Sequence, residues 1–395
     1  MKRREFLSMA AATGAALSMP RAFSAPVPTS GVVPQPHACA TAAGRRGKLL
    51  ILIELKGGND GLNTVVPFAD SAYYTLRRHI AIPRDRVIAL DERMALHPSL
   101  RSLLPLWRSG QLAVVQGVGC AQASPSHFRS TEIWDTGSRA DVYRREGWLT
   151  RAFAQWRVPQ VRASVATFGS VEAGPFAGLS FAHASRGAWT HVLDPDDAPC
   201  ANRSKVNQAE DDRVTGGAFY APIAQLSRPT TFLDSIDAAL RTLRTALVST
   251  KPGSYGAIRV TLDGFDTHAN QPERHAALLE QLAQGCAMLH AELARRGDWN
   301  DTLIITYSEF GRSARENMVR GTEHGGAAAH FVMGGRVRGG LYGQPPDLAR
   351  LDTTGQLPVE IDFRRLYATV LGPFWALDAR EVLQDDVKQL PLLRA

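Results

Sequence analysis

Asp266-Thr-His268 sets a carboxylate and an imidazole two residues apart, just past the apolar run Ile258–Leu262. Residues i and i+2 of an extended segment point the same way, so the pair can offer an oxygen and a nitrogen to one cation. Zinc and manganese accept that mixture, whereas calcium prefers oxygens only. The plainer reading is an Asp that caps the following turn beside a solvated His. A second constellation follows the apolar run Leu303–Thr306. It holds Glu309, Gly311 and Arg312, then Glu323 and His324 inside the glycine cluster Gly321–Gly326, with His330 six residues on. Glu309 and His324 are stronger candidates together than apart, and His330 is either a supporting or alternative ligand or a buried imidazole. Arg312 and Arg315 can hold an anionic oxygen pair bidentately, or simply pair with Glu309 or Glu316. A third acid, Asp60, sits in Gly57-Gly-Asn-Asp-Gly61. Glycines there let backbone approach a ligand, although Asn-Asp-Gly is also ordinary turn chemistry. Ser124, Ser126 and His127 come after the run Leu112–Gln116. A hydroxyl between a strand and a helix serves as a nucleophile or as a plain N-cap. There is no Gly-x-Ser-x-Gly elbow, which argues against an esterase.

Such groups act only if strands carry them to one edge. Apolar runs bounded by turn residues predict strands at 49–55, 112–116, 256–262, 302–307 and 331–333, with a shorter one at 87–90. Helical periodicity predicts helices at 71–79, 100–109, 128–134, 231–250, 275–296 and 363–371. Alternating strands and helices give an α/β fold, a mostly parallel sheet with helices on both faces. In such sheets sites form at the carboxyl ends of the strands. Residues 163–229 are weakly periodic and read as an excursion covering the sheet, with a turn at Asp194-Pro-Asp-Asp197.

The chain has 395 residues and a net charge of +7. Its arginines are interleaved with acids rather than arrayed in a basic stripe, which excludes nucleic acid as the expected partner and favours an anionic substrate. Residues 1–24 have paired arginines (Arg3-Arg4), an apolar stretch and a small-residue cleavage pattern, the layout of a twin-arginine signal peptide. Residues 25–47 read as a flexible leader, and 48–395 as the working domain. Export by the twin-arginine machinery to the periplasm or beyond is therefore expected, with no stable membrane span after cleavage. Cys39, Cys120, Cys200 and Cys286 contain no Cys-x-x-Cys pair, and no disulfide framework is expected.

The segments Gly57–Asn63, Gly264–His268, Ser308–Arg312 and Gly321–Gly325 resemble the DUF1501 family. So do the leader and Ser126-His-Phe-Arg129. The resemblance runs from about Lys48 to the C-terminus, with the motifs in order. In motif layout that family is similar to the alkaline phosphatase and sulfatase superfamily, α/β proteins with one or two divalent metals. The resemblance implies metal ligation by Asp60, Asp266, His268, Glu309 and His324. It also implies a nucleophile near Ser126. Where the superfamily has an Asp-His pair this chain has Glu309-Phe310, one imidazole fewer, and the Asp266-to-His268 spacing is shorter.

Together these readings lead us to expect an exported hydrolase-like protein acting on small or polymeric phosphate or sulfate esters. It would use zinc, manganese or calcium to activate Ser126 or a water, while Arg312 binds the other anionic oxygens. The alternative is a non-catalytic binding or assembly factor on the same fold.

Overall fold

In the computed structural model, residues 47–122, 126–155, 163–179, 183–185, 188–193, 231–244 and 254–394 are described. The signal peptide, the leader up to residue 46, Ser124, most of the excursion with its Asp194–Asp197 turn, Cys39 and Cys200 lie outside these residues.

Each apolar run that read as a long strand is one. The sheet is formed by β1 (Lys48–Lys56), β2 (Leu112–Gly119), β3 (Ala163–Phe168), β4 (His183–Ser185) and β5 (Ala188–Leu193). It continues with β6 (Tyr255–Asp263) and β7 (Thr302–Tyr307). Two further strands, β8 (Gly311–Glu316) and β9 (Thr322–Gly325), form a separate antiparallel hairpin. Back in the main sheet come β10 (Ala328–Met333), β11 (Gly340–Tyr342) and β12 (Ile361–Asp362). The strand order is β11-β2-β10-β7-β1-β6-β3-β5-β4, with β12 also paired to β2. The centre, β7-β1-β6-β3, is parallel. Beyond it β10 runs antiparallel to both β7 and β2, and β5 antiparallel to β3 and β4. The sheet is thus mixed, with a parallel centre.

Side-chain alternation along β1 divides the core. Leu49, Ile51, Ile53 and Leu55 face one layer, which includes α4 (Phe232–Arg244) and α5 (Gln271–Arg296). Leu50 and Leu52 face the other, which holds α2 (His127–Thr136), α3 (Trp148–Gln155) and α6 (Arg364–Thr369). A strand apolar on both faces must be covered on both, and each fully buried leucine contributes about 1.5–3 kcal/mol. Helices on both faces follow, as expected from the sequence. Cys286 lies buried inside α5, and Cys120 is a second free thiol.

The centre of the sheet also buries charge. Arg259 on β6 donates to Glu54 on β1 (2.6 Å) and to the Tyr307 hydroxyl on β7 (3.1 Å). Thr261 donates to the same Glu54 oxygen. These bonds tie three adjacent strands together just below the ends that carry the candidate site.

Candidate metal centre

The site forms where β1, β6 and β7 end. After β1 the chain turns through Gly57 and Gly58, at φ of 115° and 83°. Only glycine fits: a Cβ on Gly57 would sit 2.3 Å from the Asp266 amide nitrogen, and one on Gly58 2.4 Å from the Phe310 ring. The close turn aims the Gly57 N–H at Glu309 Oε1 (2.9 Å). The carbonyls of Gly57 and Gly58 point at Arg312.

Arg312, at the start of β8, is buried. Its Nε donates to Gly58 O, Nη1 to Thr322 O, and Nη2 to the carbonyls of Gly57 and Phe265. Nη2 also meets Asp266 Oδ1 at 2.6 Å. Every guanidinium nitrogen therefore has an acceptor within the protein, and the side chain clamps three loops. Burial alone would raise the Asp266 carboxyl, but Arg312 outweighs it and holds the group below its ordinary range.

Around Asp266 the imidazoles gather. His268 Nε2 is 3.0 Å and His324 Nε2 3.3 Å from Asp266 Oδ1, and His127 Nε2 is 3.6 Å from Oδ2. The two nitrogens His268 Nε2 and His324 Nε2 face each other at 3.0 Å. Two of the rings are backed by acids. His127 Nδ1 lies 2.9 Å from Glu309 Oε1, and His268 Nδ1 lies 3.1 Å from Glu323 Oε2. Asn317 holds Glu323 and the His268 carbonyl in turn. A carboxylate on Nδ1 fixes the proton there and leaves the Nε2 lone pair facing inward. The bond to Glu309, joined by its negative charge, also pushes the His127 pKa up.

Ligand atoms of His127, Asp266 and His324 all lie within 4.8 Å of one another. Tetrahedral zinc with bonds near 2 Å separates its ligands by about 3.3 Å, so the inward distances suit one small divalent ion. The charge balance also fits: Asp266, Glu309 and Glu323 against the single guanidinium of Arg312.

The residues picked out in the sequence divide. Asp266, His268 and His324 converge directly. Glu309 adjoins them through His127, its Oε1 shared by that ring and the Gly57 amide. Asp60 lies in another network. It N-caps the short helix α1 (Gly61–Thr64), with Oδ1 accepting from Leu62 and Asn63 amides and Oδ2 from buried Arg77 and Gln271. Burial would raise its pKa, but Arg77 outweighs burial and holds it low. Ser126 is the exposed N-cap of α2 and makes no capping bond with its hydroxyl. His330 is fully buried on β10 beside Trp134 and shares no bond with the centre. His127 belongs to the centre although in the sequence it stands out only as the neighbour of Ser126. Its signal was its place at the first turn of a helix after a strand.

Residues 241–386 match the DUF1501 family, described as a protein of unknown function. Among curated proteins none matches this chain. Several solved structures are similar at low identity. The C-terminal periplasmic domain of EcEptC from Escherichia coli, solved in complex with Zn, is 9% identical, with 74% of each chain covered and a TM-score of 0.38. A protein in the alkaline phosphatase superfamily from Vibrio parahaemolyticus is 12% identical, covering 77% of this chain and 64% of that one, with a TM-score of 0.35. PsFucS1 sulfatase from Pseudoalteromonas sp. is 10% identical, covering 88% and 71%, with a TM-score of 0.37.

Proposed function

We propose that this protein is a metal-dependent hydrolase of phosphate or sulfate esters, with one divalent cation held by His127, Asp266 and His324 and with His268 beside them. One observation carries the reading: imidazole Nε2 atoms and a carboxylate oxygen converge within 3.0–3.6 Å. Inward lone pairs at that spacing need a proton or a cation among them, and a divalent ion can satisfy all of them at once. Bound there, a divalent ion would polarise a phosphoryl or sulfuryl oxygen and supply a Lewis acid for ester cleavage.

The chain's own residues do the rest. Glu309 holds His127 in the tautomer that leaves Nε2 free. Glu323 does the same for His268. Arg312 fixes Asp266 and keeps it ionised, while the Gly57–Gly58 turn, clamped by Arg312, holds Glu309 in place through the Gly57 amide. Ser126, next to His127 in the chain and with a hydroxyl that makes no capping bond, would attack or position a water.

In keeping with the paired-arginine leader, the protein would act in the periplasm or outside the cell on small or polymeric anionic esters, after export by the twin-arginine machinery. A specific observation favours a second reading, a binding or assembly factor. Arg312 spends its guanidinium on the protein and offers nothing free to a substrate anion. Elemental analysis of the folded protein before and after chelation, paired with hydrolysis of aryl phosphate and aryl sulfate, decides. One tightly held divalent ion with chelator-sensitive turnover supports the hydrolase. Metal without turnover supports the binding factor, and no metal under any loading condition overturns both the centre and the hydrolase.

A further inference from the structure

The large apolar side chains that stay in water gather at one end of this molecule. Among the described residues they are Phe128, Tyr143, Val171, Met318 and Val319. β3 runs parallel to β1 through β6, and β2 does so through β10, which is antiparallel to both β2 and β7. Phe128 follows the carboxyl end of β2 and Val171 that of β3, while Met318 and Val319 top the β8–β9 hairpin that follows β7. Tyr143 returns to the same end. Arg129, in the first turn of α2, donates to the carbonyls of Ala140 and Val142 and lies 3.7 Å from the Tyr143 ring. The metal centre opens at this end too, with Asp266 about half exposed. Single exposed apolar residues are ordinary, but here all of them lie past the carboxyl ends of parallel strands.

The hairpin tip is firmly built. Asn317 Oδ1 accepts the amides of Val319 and Gly321, and its Nδ2 donates to the His268 carbonyl. The Val319 carbonyl accepts the Asn270 amide. The backbone is thus engaged, while the Met318 side chain is fully exposed and that of Val319 largely so. Arginines flank the tip, Arg315 before it and Arg320 after it, with Arg78 alongside, next to the His79–Glu316 pair. Glu316 and Glu273 are already taken up by His79 and Arg320. Arg78 and Arg315 are exposed and make no ion pair among the described residues, and the same holds for Arg145, two residues from Tyr143.

Apolar side chains at loop tips between cations match a bilayer surface. There the apolar groups enter the headgroup boundary and the cations meet anionic lipid. A protein partner would call for a contiguous apolar patch, and here charge interrupts the apolar residues. We propose that this end of the protein docks on an anionic lipid surface, with Met318 and Val319 at the headgroup boundary and Arg78, Arg145 and Arg315 against lipid phosphates. The contact is peripheral, made by loop tips. It uses no metal ligand, so it stands whether or not the protein is a hydrolase.

The full chain is sedimented with phosphatidylcholine vesicles, with and without phosphatidylglycerol, and amide hydrogen exchange locates the contact. Exchange separates this end from the apolar leader, which can bind vesicles by itself. Residues 316–320 and 127–129 should gain protection on anionic vesicles, and 108–111, at the opposite end of β2, should not. Met318→Ser combined with Val319→Ser should weaken binding about 10-fold. Its unfolding midpoint should stay unchanged, because both side chains are exposed and the tip is held by Asn317 and backbone. Arg315→Gln should weaken binding about 5-fold on anionic vesicles only, an effect that high salt removes. Unprotected 316–320 on vesicle-bound protein, undiminished binding by the double serine variant, or equal binding to neutral vesicles overturns the proposal. So does a dimer that the double variant abolishes, found without vesicle binding, which would make this end a contact between copies.

Discussion

His127 Nδ1 and Glu309 Oε1 lie 2.9 Å apart although 182 residues separate them in the chain. The same carboxylate oxygen accepts the Gly57 amide. One acid thus ties the glycine turn after β1 to the first residue of α2 and directs the free imidazole nitrogen toward Asp266.

Glu309 should therefore govern affinity through His127. Loss of an acid behind a metal-binding histidine typically weakens binding about 10–100-fold. Glu309→Gln is expected to fall in that range while retaining stoichiometry, and Asp266→Asn to lose the ion altogether. Competition with a chelating dye measures both. Wild-type affinity in Glu309→Gln would remove the carboxylate from the centre.

Arg312 is a structural clamp first. Arg312→Met strips donors from the carbonyls of Gly57, Gly58, Phe265 and Thr322 and leaves Asp266 uncompensated. Breaking a buried charge pair typically costs about 3–5 kcal/mol. Asp266 is about half exposed, so its share is smaller, and a loss of about 3 kcal/mol in urea unfolding is expected. A variant of unchanged stability that fails only in turnover would point instead to anion binding.

Asp60 and Arg77 provide a contrast. Both side chains are buried, at 1% and 0% exposure, and bonded to each other. Asp60→Asn should lower stability by about 3 kcal/mol or more and leave metal content unchanged. Loss of the ion in a folded Asp60→Asn would bring this carboxylate back into the ligand set.

Acid should weaken the protein well above the carboxylate range. Burial pushes His97 and His330 down to about 3 and His275 to about 4, from an ordinary 6.5. Below pH 6.5 the unfolded chain takes protons that the folded one refuses, so stability falls with pH until about 3. Each such group adds about 1.4 kcal/mol per pH unit. Asp60, with its depressed pKa, loses its contribution only as pH drops below 3.8. His330 bonds no protein group at either ring nitrogen. His330→Leu should thus reduce the slope of unfolding free energy between pH 4 and 6 by one group's worth. An unchanged slope would mean His330 is protonated in the fold.

The sequence by itself determined the strands Lys48–Lys56, Tyr255–Asp263 and Thr302–Tyr307, the long helix ending at Arg296, and the glycine turn at Gly57-Gly58. Hydrophobic period and turn chemistry are local, and neighbours a few residues away suffice to express them. It also set Asp266 and His268 just past a strand and His324 in a glycine cluster, while the hairpin that holds His324 appears only in the structure. The tertiary structure decided the partners. Whether Asp60 faces a cation or Arg77 depends on Ser71–Leu76 and its flanking loop packing over α1, which no local pattern encodes. His127 follows β2, which β10 separates from β7, so only the folded sheet brings its ring to Glu309 and Asp266. Strand order is a property of the whole core, where the burial of both faces of β1 outweighs the preferences of any one segment.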